Sequence, residues 1–179
     1  IPGTNHAWIT PSAVFKGALK PEDMGRVTLD GHTVDANALA PSSERLFHCA
    51  VMKARPDVEA VVHAHAPKAT ALALAGLPFL PINTEAAFVG EIPRVPFIMP
   101  GTKELADAVV KALGSGPAVL LQNHGLLVAA SSLRRGADLV EIIERTSELI
   151  VDCYAMGKVP PTLPEDVVAT LKEAGQLVA

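Results

Sequence analysis

Hydrophobic and polar residues recur along the chain with two different periods. Apolar residues at helical spacing predict helices over 43–54, 68–75, 102–113, 132–156 and 164–175. Apolar runs too short for helices predict strands over 58–65, 117–122 and 126–130. A turn at Asp30-Gly31 predicts two further short strands within 25–35, and prolines between 78 and 100 bracket two more. Strands mixed with helices in this way predict an α/β fold with a central sheet flanked by helices.

The length and composition limit what kind of protein this is. With 179 residues we expect one domain over 1–179, in which 160–179 form a C-terminal helical extension after Pro160-Pro161. Hydrophobic residues make up 49% of the chain and charged residues 19%, with a net charge of -4. This composition excludes a disordered chain, and the lack of a basic stripe argues against a nucleic-acid partner. The low charge favours an oligomer whose subunits cover apolar surface.

The cysteines and the apolar runs predict the compartment. Cys49 and Cys153 match no CxxC pattern and lie in apolar helical stretches, which predicts small core residues and a reducing cytoplasm. No apolar run reaches the length of about 18 residues that a membrane span needs. Residues 1–6 lack the charged and apolar regions of a signal peptide.

The sharpest chemical feature is the sequence His63-Ala64-His65 at the end of a predicted strand. Residues i and i+2 of a strand face the same side, so both imidazoles reach one point, and imidazole suits zinc and similar metals. The pair is also typical of two solvent-facing histidines beside a loop. His124, in a tight turn before Gly125, supplies the third ligand that a catalytic metal site needs, although a histidine there also serves as a backbone cap.

A carboxylate and an anion site are predicted at the start of the helix over 43–54. Glu44 lies in its first turn, where the helix dipole favours negative charge and where a plain helix-start acid is also common. The N–H groups and hydroxyls of Ser42-Ser43 can bind an anion beside a base. Thr10-Pro11-Ser12 closes the same pocket, or forms a plain turn.

Other polar residues receive structural interpretations. We expect His48 in the core or behind the metal ligands, and His32 and His6 at the surface. Lys16 is expected to be solvated more than bound to an anion. The apolar segment from Leu72 to Phe88 is equally typical of a pocket wall and of core packing.

Taken in order, these motifs resemble the class II aldolase/adducin family, in particular its fuculose-phosphate aldolase group. The matching segments, spread over about 9–157, are Ile9-Thr10-Pro11-Ser12, Lys16-Gly17, Pro21-Glu22-Asp23-Met24, Leu29-Asp30-Gly31, Pro41-Ser42-Ser43-Glu44, Arg55-Pro56-Asp57, His63-Ala64-His65 and Asn123-His124-Gly125-Leu126. The resemblance implies a three-layer α/β/α sandwich around a mostly antiparallel sheet. It also implies a homotetramer with active sites near subunit interfaces.

The same resemblance assigns roles to the site. One divalent ion per subunit, zinc or manganese, is implied on His63, His65 and His124. The acid matching Glu44 acts as the base, and the residues that hold the phosphate or carboxylate of the substrate match Thr10, Ser12, Ser42 and Ser43. The chain departs from the family at Ala13, where glycine is usual. It also departs over 81–84, where the aldolases use a tyrosine acid and this chain has Pro-Ile-Asn-Thr.

Together with the resemblance, these residues predict a divalent-metal-dependent carbon–carbon lyase that acts on a small molecule through a metal-stabilised enolate. Decarboxylation of a hydroxylated aromatic or keto acid is favoured, because loss of carbon dioxide needs no proton transfer at an alkoxide. Retro-aldol cleavage of a sugar phosphate is the alternative, and sugar-phosphate epimerases or dehydratases use the same chemistry. A non-catalytic, adducin-like module is disfavoured because all three histidines and Glu44 are present.

Overall fold

The computed structural model describes residues 1–36 and 38–176. Within these residues the helices are α1 (Arg45–Ala54), α2 (Pro67–Leu74), α3 (Thr84–Val89), α4 (Lys103–Leu113), α5 (Leu133–Ala155) and α6 (Glu165–Gln176). The strands are β1 (His6–Ile9), β2 (Gly25–Thr28), β3 (Ala60–Ala64), β4 (Arg94–Val95), β5 (Ala118–Leu121) and β6 (Gly125–Ala130). Two short 3-10 turns lie at Lys16–Ala18 and Pro21–Asp23. The chain forms two compact units, the first of 1–56 with 98–111 and the second of 57–97 with the residues from 112 onward.

The first unit contains a two-stranded antiparallel sheet and helix α1. β1 pairs with β2 so that Ala7 lies opposite Val27. Residues alternate between buried and exposed along β1, as expected of a strand with one covered face. Buried residues from both strands form a small core with Cys49 of α1. Cys49 is therefore a core residue as predicted, and its burial raises the pKa of its thiol.

The second unit is built on a four-stranded sheet in the order β3-β6-β5-β4. β6 pairs antiparallel with both of its neighbours, and only β4 and β5 are parallel. The predicted α/β class with a mostly antiparallel sheet is confirmed. Helices α2, α3 and α5 pack on this unit, and its core includes Leu72, Phe79, Leu126, Ile143 and Ile150. The segment from Leu72 to Phe88 contributes to this core, which favours the packing interpretation over a pocket wall.

Two local predictions are wrong. The second strand of the hairpin within 25–35 is reduced to a single bridge between Val27 and Thr33, and β2 pairs instead with the unpredicted strand β1. The reason is that the carboxylate of Asp35 accepts a hydrogen bond from the Arg26 N–H at 2.9 Å, which ends the ladder.

The second error lies in the proline-rich stretch, where one of two predicted strands is the helix α3. The side chain of Asn83 accepts a hydrogen bond from the Ala86 N–H at 2.8 Å and so caps this helix. The C-terminal helix predicted over 164–175 is present as α6, while residues 177–179 of the predicted extension lie outside the described residues. None of the described helices has the length and apolar character of a membrane span.

Helix α5 approaches the sheet closely at Gly136. A Cβ atom added there would lie 2.7 Å from Cγ2 of Val62 on β3, far inside van der Waals contact. Gly136→Ala is therefore expected to destabilise the protein by about 1–3 kcal/mol, although alanine is the better helix former by about 1 kcal/mol. The free energy of unfolding, measured by urea denaturation, tests this.

The control for this prediction is the double variant Gly136→Ala/Val62→Ala. Removing the Val62 methyl groups frees the space, so the two substitutions should cost clearly less together than the sum of their separate effects. A Gly136→Ala protein as stable as the unsubstituted chain would contradict the close contact.

Candidate metal and anion sites

Three histidines meet at one end of the four-stranded sheet. His63 lies in β3, His65 directly follows that strand, and His124 lies in the turn that joins β5 to β6. The pairing of β3 with β6 places Ala64 opposite Leu126, so the start of β6 lies beside the end of β3. The ring centroid of His63 lies 5.0 Å from that of His65 and 4.8 Å from that of His124, and the centroids of His65 and His124 are 5.2 Å apart.

This three-histidine cluster (His63, His65 and His124) fits a divalent metal ion. Its ligand nitrogens lie within 4.8 Å of one another. His63 and His124 are half-buried and His65 is exposed, so the cluster opens to one side. Three imidazoles with an open side are the donor set of a catalytic zinc site, in which substrate or water takes the remaining position. The histidines could therefore hold the metal that the sequence predicts.

A backbone contact sets the tautomer of His63. Its Nδ1 lies 3.0 Å from the carbonyl oxygen of Leu126, and a carbonyl can only accept a hydrogen bond. Nδ1 therefore carries the proton, and the lone pair is on Nε2, which is buried. Such a hydrogen bond from the outer nitrogen is the usual way in which proteins orient a metal-binding histidine.

The turn that carries His124 needs the two residues beside it. Asn123 has a φ of 62°, in the left-handed region that asparagine tolerates better than most residues. A Cβ atom on Gly125 would lie 2.5 Å from the carbonyl oxygen of Ala64, so only glycine lets β6 come this close to β3. The sequence alone did not predict the close contact between Gly125 and Ala64. The glycine directly after His124 was the one residue that indicated it.

The predicted anion-binding segments are neighbours in the first unit. The Ser42 N–H donates to the carbonyl of Thr10 at 3.0 Å, and the Ser12 N–H donates to the carbonyl of Ala40 at 2.8 Å. A bridge between Pro11 and Pro41 aligns the two segments antiparallel. Thr10, Ser12, Ser42 and Ser43 thus belong to one local structure, although they lie far apart in the sequence. Thr10 and Ser43 are exposed, and Ser12 and Ser42 are half-buried.

Two cationic side chains lie against these segments. The Lys16 ammonium donates to the Pro11 carbonyl, and the residue is exposed, as expected of a loop lysine. The Arg45 guanidinium donates to the Gly31 carbonyl at 2.8 Å and to the Ser42 carbonyl at 3.5 Å. Sequence reasoning missed Arg45, because nothing in the pattern after Glu44 distinguishes it from a surface arginine.

Glu44 is the N-cap of α1 and precedes the first turn in which it was predicted. Its N–H donates to the Ser42 hydroxyl at 3.2 Å, and its carboxylate atom Oε1 is buried. Glu44 belongs to the first unit and the three-histidine cluster to the second.

The remaining histidines and the single tyrosine lie as follows. His32 is exposed as predicted, whereas His6 is half-buried in β1. His48 is half-buried on α1, next to Phe47 at 4.9 Å between ring centroids. Tyr154 packs against the core of the second unit.

Most of the chain resembles known enzymes. The family model described as "Class II Aldolase and Adducin N-terminal domain" matches residues 1–151. A 5-deoxy-D-ribulose 1-phosphate aldolase of Bacillus thuringiensis is 34% identical over 91% of this chain and 76% of its own length. A 3-oxo-tetronate 4-phosphate decarboxylase of Escherichia coli O6:H1 is 36% identical over 79% of this chain and 68% of its own.

A solved structure shares the fold. The structure of an L-fuculose 1-phosphate aldolase matches with a TM-score of 0.87 and 31% identity, over 96% of this chain and 81% of that one. The predicted class II aldolase fold is confirmed by this likeness, and the relatives confirm the prediction of a metal-dependent lyase. This chain belongs to the class II aldolase and adducin family.

Proposed function

We propose that this chain is a divalent-metal-dependent carbon–carbon lyase that decarboxylates a small hydroxylated keto acid bearing a second anionic group. The observation that carries the proposal is the convergence of three imidazoles, with ring centroids 4.8–5.2 Å apart, in a member of a lyase family. When bound, a zinc or manganese ion supplies a Lewis acid for the negative charge that develops on the substrate's carbonyl oxygen. His63, His65 and His124 would hold it through their ring nitrogens.

Glu44 is proposed as the group that moves the proton. As carbon dioxide leaves, the electron pair of the broken carbon–carbon bond stays on the remaining substrate, and that carbon then takes a proton. A Glu44 carboxyl would deliver this proton and recover one from water. Support comes from the resemblance of Pro41-Ser42-Ser43-Glu44 to the family motif and from the burial of the Glu44 Oε1 atom, which keeps a carboxyl from bulk solvent.

Thr10, Ser12, Ser42 and Ser43 are proposed to bind the distal anionic group of the substrate, a phosphate or a carboxylate. Hydroxyl and backbone N–H donors near the start of a helix suit such a group. The nearby ammonium of Lys16 and guanidinium of Arg45 add positive charge around it. The relative that acts on a 4-phosphate and the one that acts on a 1-phosphate make a phosphate the first choice.

Decarboxylation is preferred over aldol cleavage because only aldol cleavage needs an acid–base group at an alkoxide oxygen. Aldol chemistry transfers a proton at an alkoxide oxygen, for which the family uses a tyrosine in the segment matching 81–84. That segment is Pro-Ile-Asn-Thr in this chain, and Tyr154 packs against the core. Retro-aldol cleavage of a sugar phosphate is the second candidate, and the identity of 34% to an aldolase over 91% of the chain favours it.

We further propose a cytoplasmic homotetramer with active sites near the subunit interfaces. Among the described residues, Phe15, Leu133 and Met156 are large apolar side chains that are 81%, 72% and 69% exposed. Exposed apolar side chains leave water when a second subunit covers them, which favours association.

The reaction itself can be tested with the purified protein loaded with zinc or manganese. We expect release of carbon dioxide from a phosphorylated 3-oxo acid, because the electron pair left behind is stabilised by the neighbouring ketone. Aldehyde formation from ketose 1-phosphates is measured in parallel with the same preparation. Aldehyde without carbon dioxide would replace the first candidate by the second, and neither product from either substrate class would contradict the proposed lyase activity.

The metal ligands are tested by His63→Ala and His65→Ala. Each variant should lose the bound metal and turnover while remaining folded, because two imidazoles leave a catalytic site one ligand short. Metal content is measured by elemental analysis, and folding by circular dichroism. His32→Ala, which changes an exposed histidine of the first unit, is the matched control and should keep both. Metal retained by His63→Ala at the level of the unsubstituted protein would contradict the ligand assignment.

Glu44→Gln separates the proposed base from the metal. The amide keeps the size of the side chain but does not move a proton, so turnover should fall by about 10²- to 10⁴-fold while metal content stays unchanged. The control is Glu22→Gln, at an exposed acid of the same unit. A fully active Glu44→Gln enzyme would exclude Glu44 as the base.

A further inference from the structure

Helix α5 contacts the chain on both sides of the ligand segment, defined as residues 63–65. Before the segment, Gly136 of α5 lies so close to Val62 that an added Cβ would be 2.7 Å from Cγ2. After the segment, the side chain of Glu144 of α5 reaches the first turn of α2. The ligand segment is therefore placed between two contacts made by one helix.

The contact after the segment consists of charge-assisted hydrogen bonds. The Lys68 N–H lies 2.9 and 3.0 Å from the two carboxylate oxygens of Glu144, and the Ala69 N–H donates to Oε2 at 2.9 Å. The first N–H groups of a helix have no partner within the helix, and an anion there also interacts favourably with the helix dipole. Ala66, the N-cap residue of α2, has no side chain that could do this. A carboxylate some 75 residues along the chain thus caps α2.

His65 is the ligand that depends most on this cap. The pairing of β3 with β6 ends at Ala64, so the ladder of the sheet does not extend to His65. Only Ala66 separates His65 from Pro67, the first residue of α2, and the Ala66 carbonyl accepts hydrogen bonds from the N–H and hydroxyl of Thr70. The position of the His65 backbone is therefore closely tied to the position of the first turn of α2.

We propose that Glu144 is a positioning residue of the metal centre, which holds His65 in its binding geometry by capping α2. The inference rests on the proposed metal centre. Glu144 is not among the residues grouped as possible metal ligands, and in this proposal it acts through the backbone of Lys68 and Ala69. Residues that orient a ligand from behind typically change metal affinity by about 10- to 100-fold when they are replaced.

The neighbouring acid Glu148 provides a matched control. It lies one turn further along α5 and also contacts Lys68, but through the ammonium group at 3.3 Å and not through the backbone. Asp152 lies 3.6 Å from the same ammonium. Removing the Glu148 carboxylate therefore takes one charge from the same helix and the same partner residue, while the cap of α2 is kept.

The experiment compares the full chain with its Glu144→Ala, Glu144→Gln and Glu148→Ala variants. Each protein is loaded with Co²⁺, whose affinity is measured by competition with a chelator and whose visible absorption reports the ligand geometry. We expect Glu144→Ala to bind Co²⁺ about 10- to 100-fold more weakly and to shift the absorption bands. Glu148→Ala should bind within about twofold of the unsubstituted chain and keep its spectrum. Circular dichroism establishes that each variant is folded.

Glu144→Gln keeps an acceptor oxygen and loses the charge, so its affinity should lie between those of Glu144→Ala and the unsubstituted chain. If Glu144→Ala fails to fold, the Co²⁺ affinities and spectra of Glu144→Gln and Glu148→Ala are compared instead and test the same role. Glu144 variants with unchanged affinity and spectrum, beside an unsubstituted chain that binds Co²⁺, would overturn the positioning role alone. An unsubstituted chain that binds no Co²⁺ would overturn the proposed metal centre and this inference with it.

Discussion

The antiparallel pairing of β3 with β6 is the constraint on which the three-histidine cluster depends. It sets the end of one strand beside the start of the other, with Ala64 opposite Leu126. The same contact gives His63 its backbone acceptor, the Leu126 carbonyl at 3.0 Å, and requires glycine at position 125. All of these features depend on the same β3–β6 pairing. A one-residue shift in its register would turn His63 to the other face of the sheet, and the three histidines would no longer meet.

In the first unit, backbone pairing likewise brings together the residues that are proposed to bind an anion. Hydrogen bonds between backbones hold Thr10 and Ser12 against 40–42, so hydroxyl groups from two segments share one location. Ala13 next to them has a φ of 56°, in the left-handed region that favours the glycine implied by the resemblance. The departure at this position therefore costs about 1–2 kcal/mol in local backbone energy, while the path of the chain is kept. Its methyl group is exposed, so it fills no buried space.

Most elements could be predicted because their pattern is strong within the element itself. The helices α4 and α5 start and end within one or two residues of their predicted limits, since their periodic stripes are long. β1 could not be predicted, because four residues carry too little pattern and the strand is stabilised by β2, about twenty residues further on. The prolines around α3 predict a strand there, whereas the cap at Asn83 stabilises a helix. Short elements are decided by such single contacts.

In the candidate site, too, some features follow from local sequence and others from long-range contacts. The sequence by itself determined the donor types and one local geometry, because alternation along a strand puts His63 and His65 on one face whatever the rest of the chain does. Only the tertiary structure decided that His124 joins them and that Glu144 caps α2. Those contacts join distant residues through strand register and helix packing. Neither is encoded in any short stretch of sequence, because both depend on long-range burial that is shared by the whole unit.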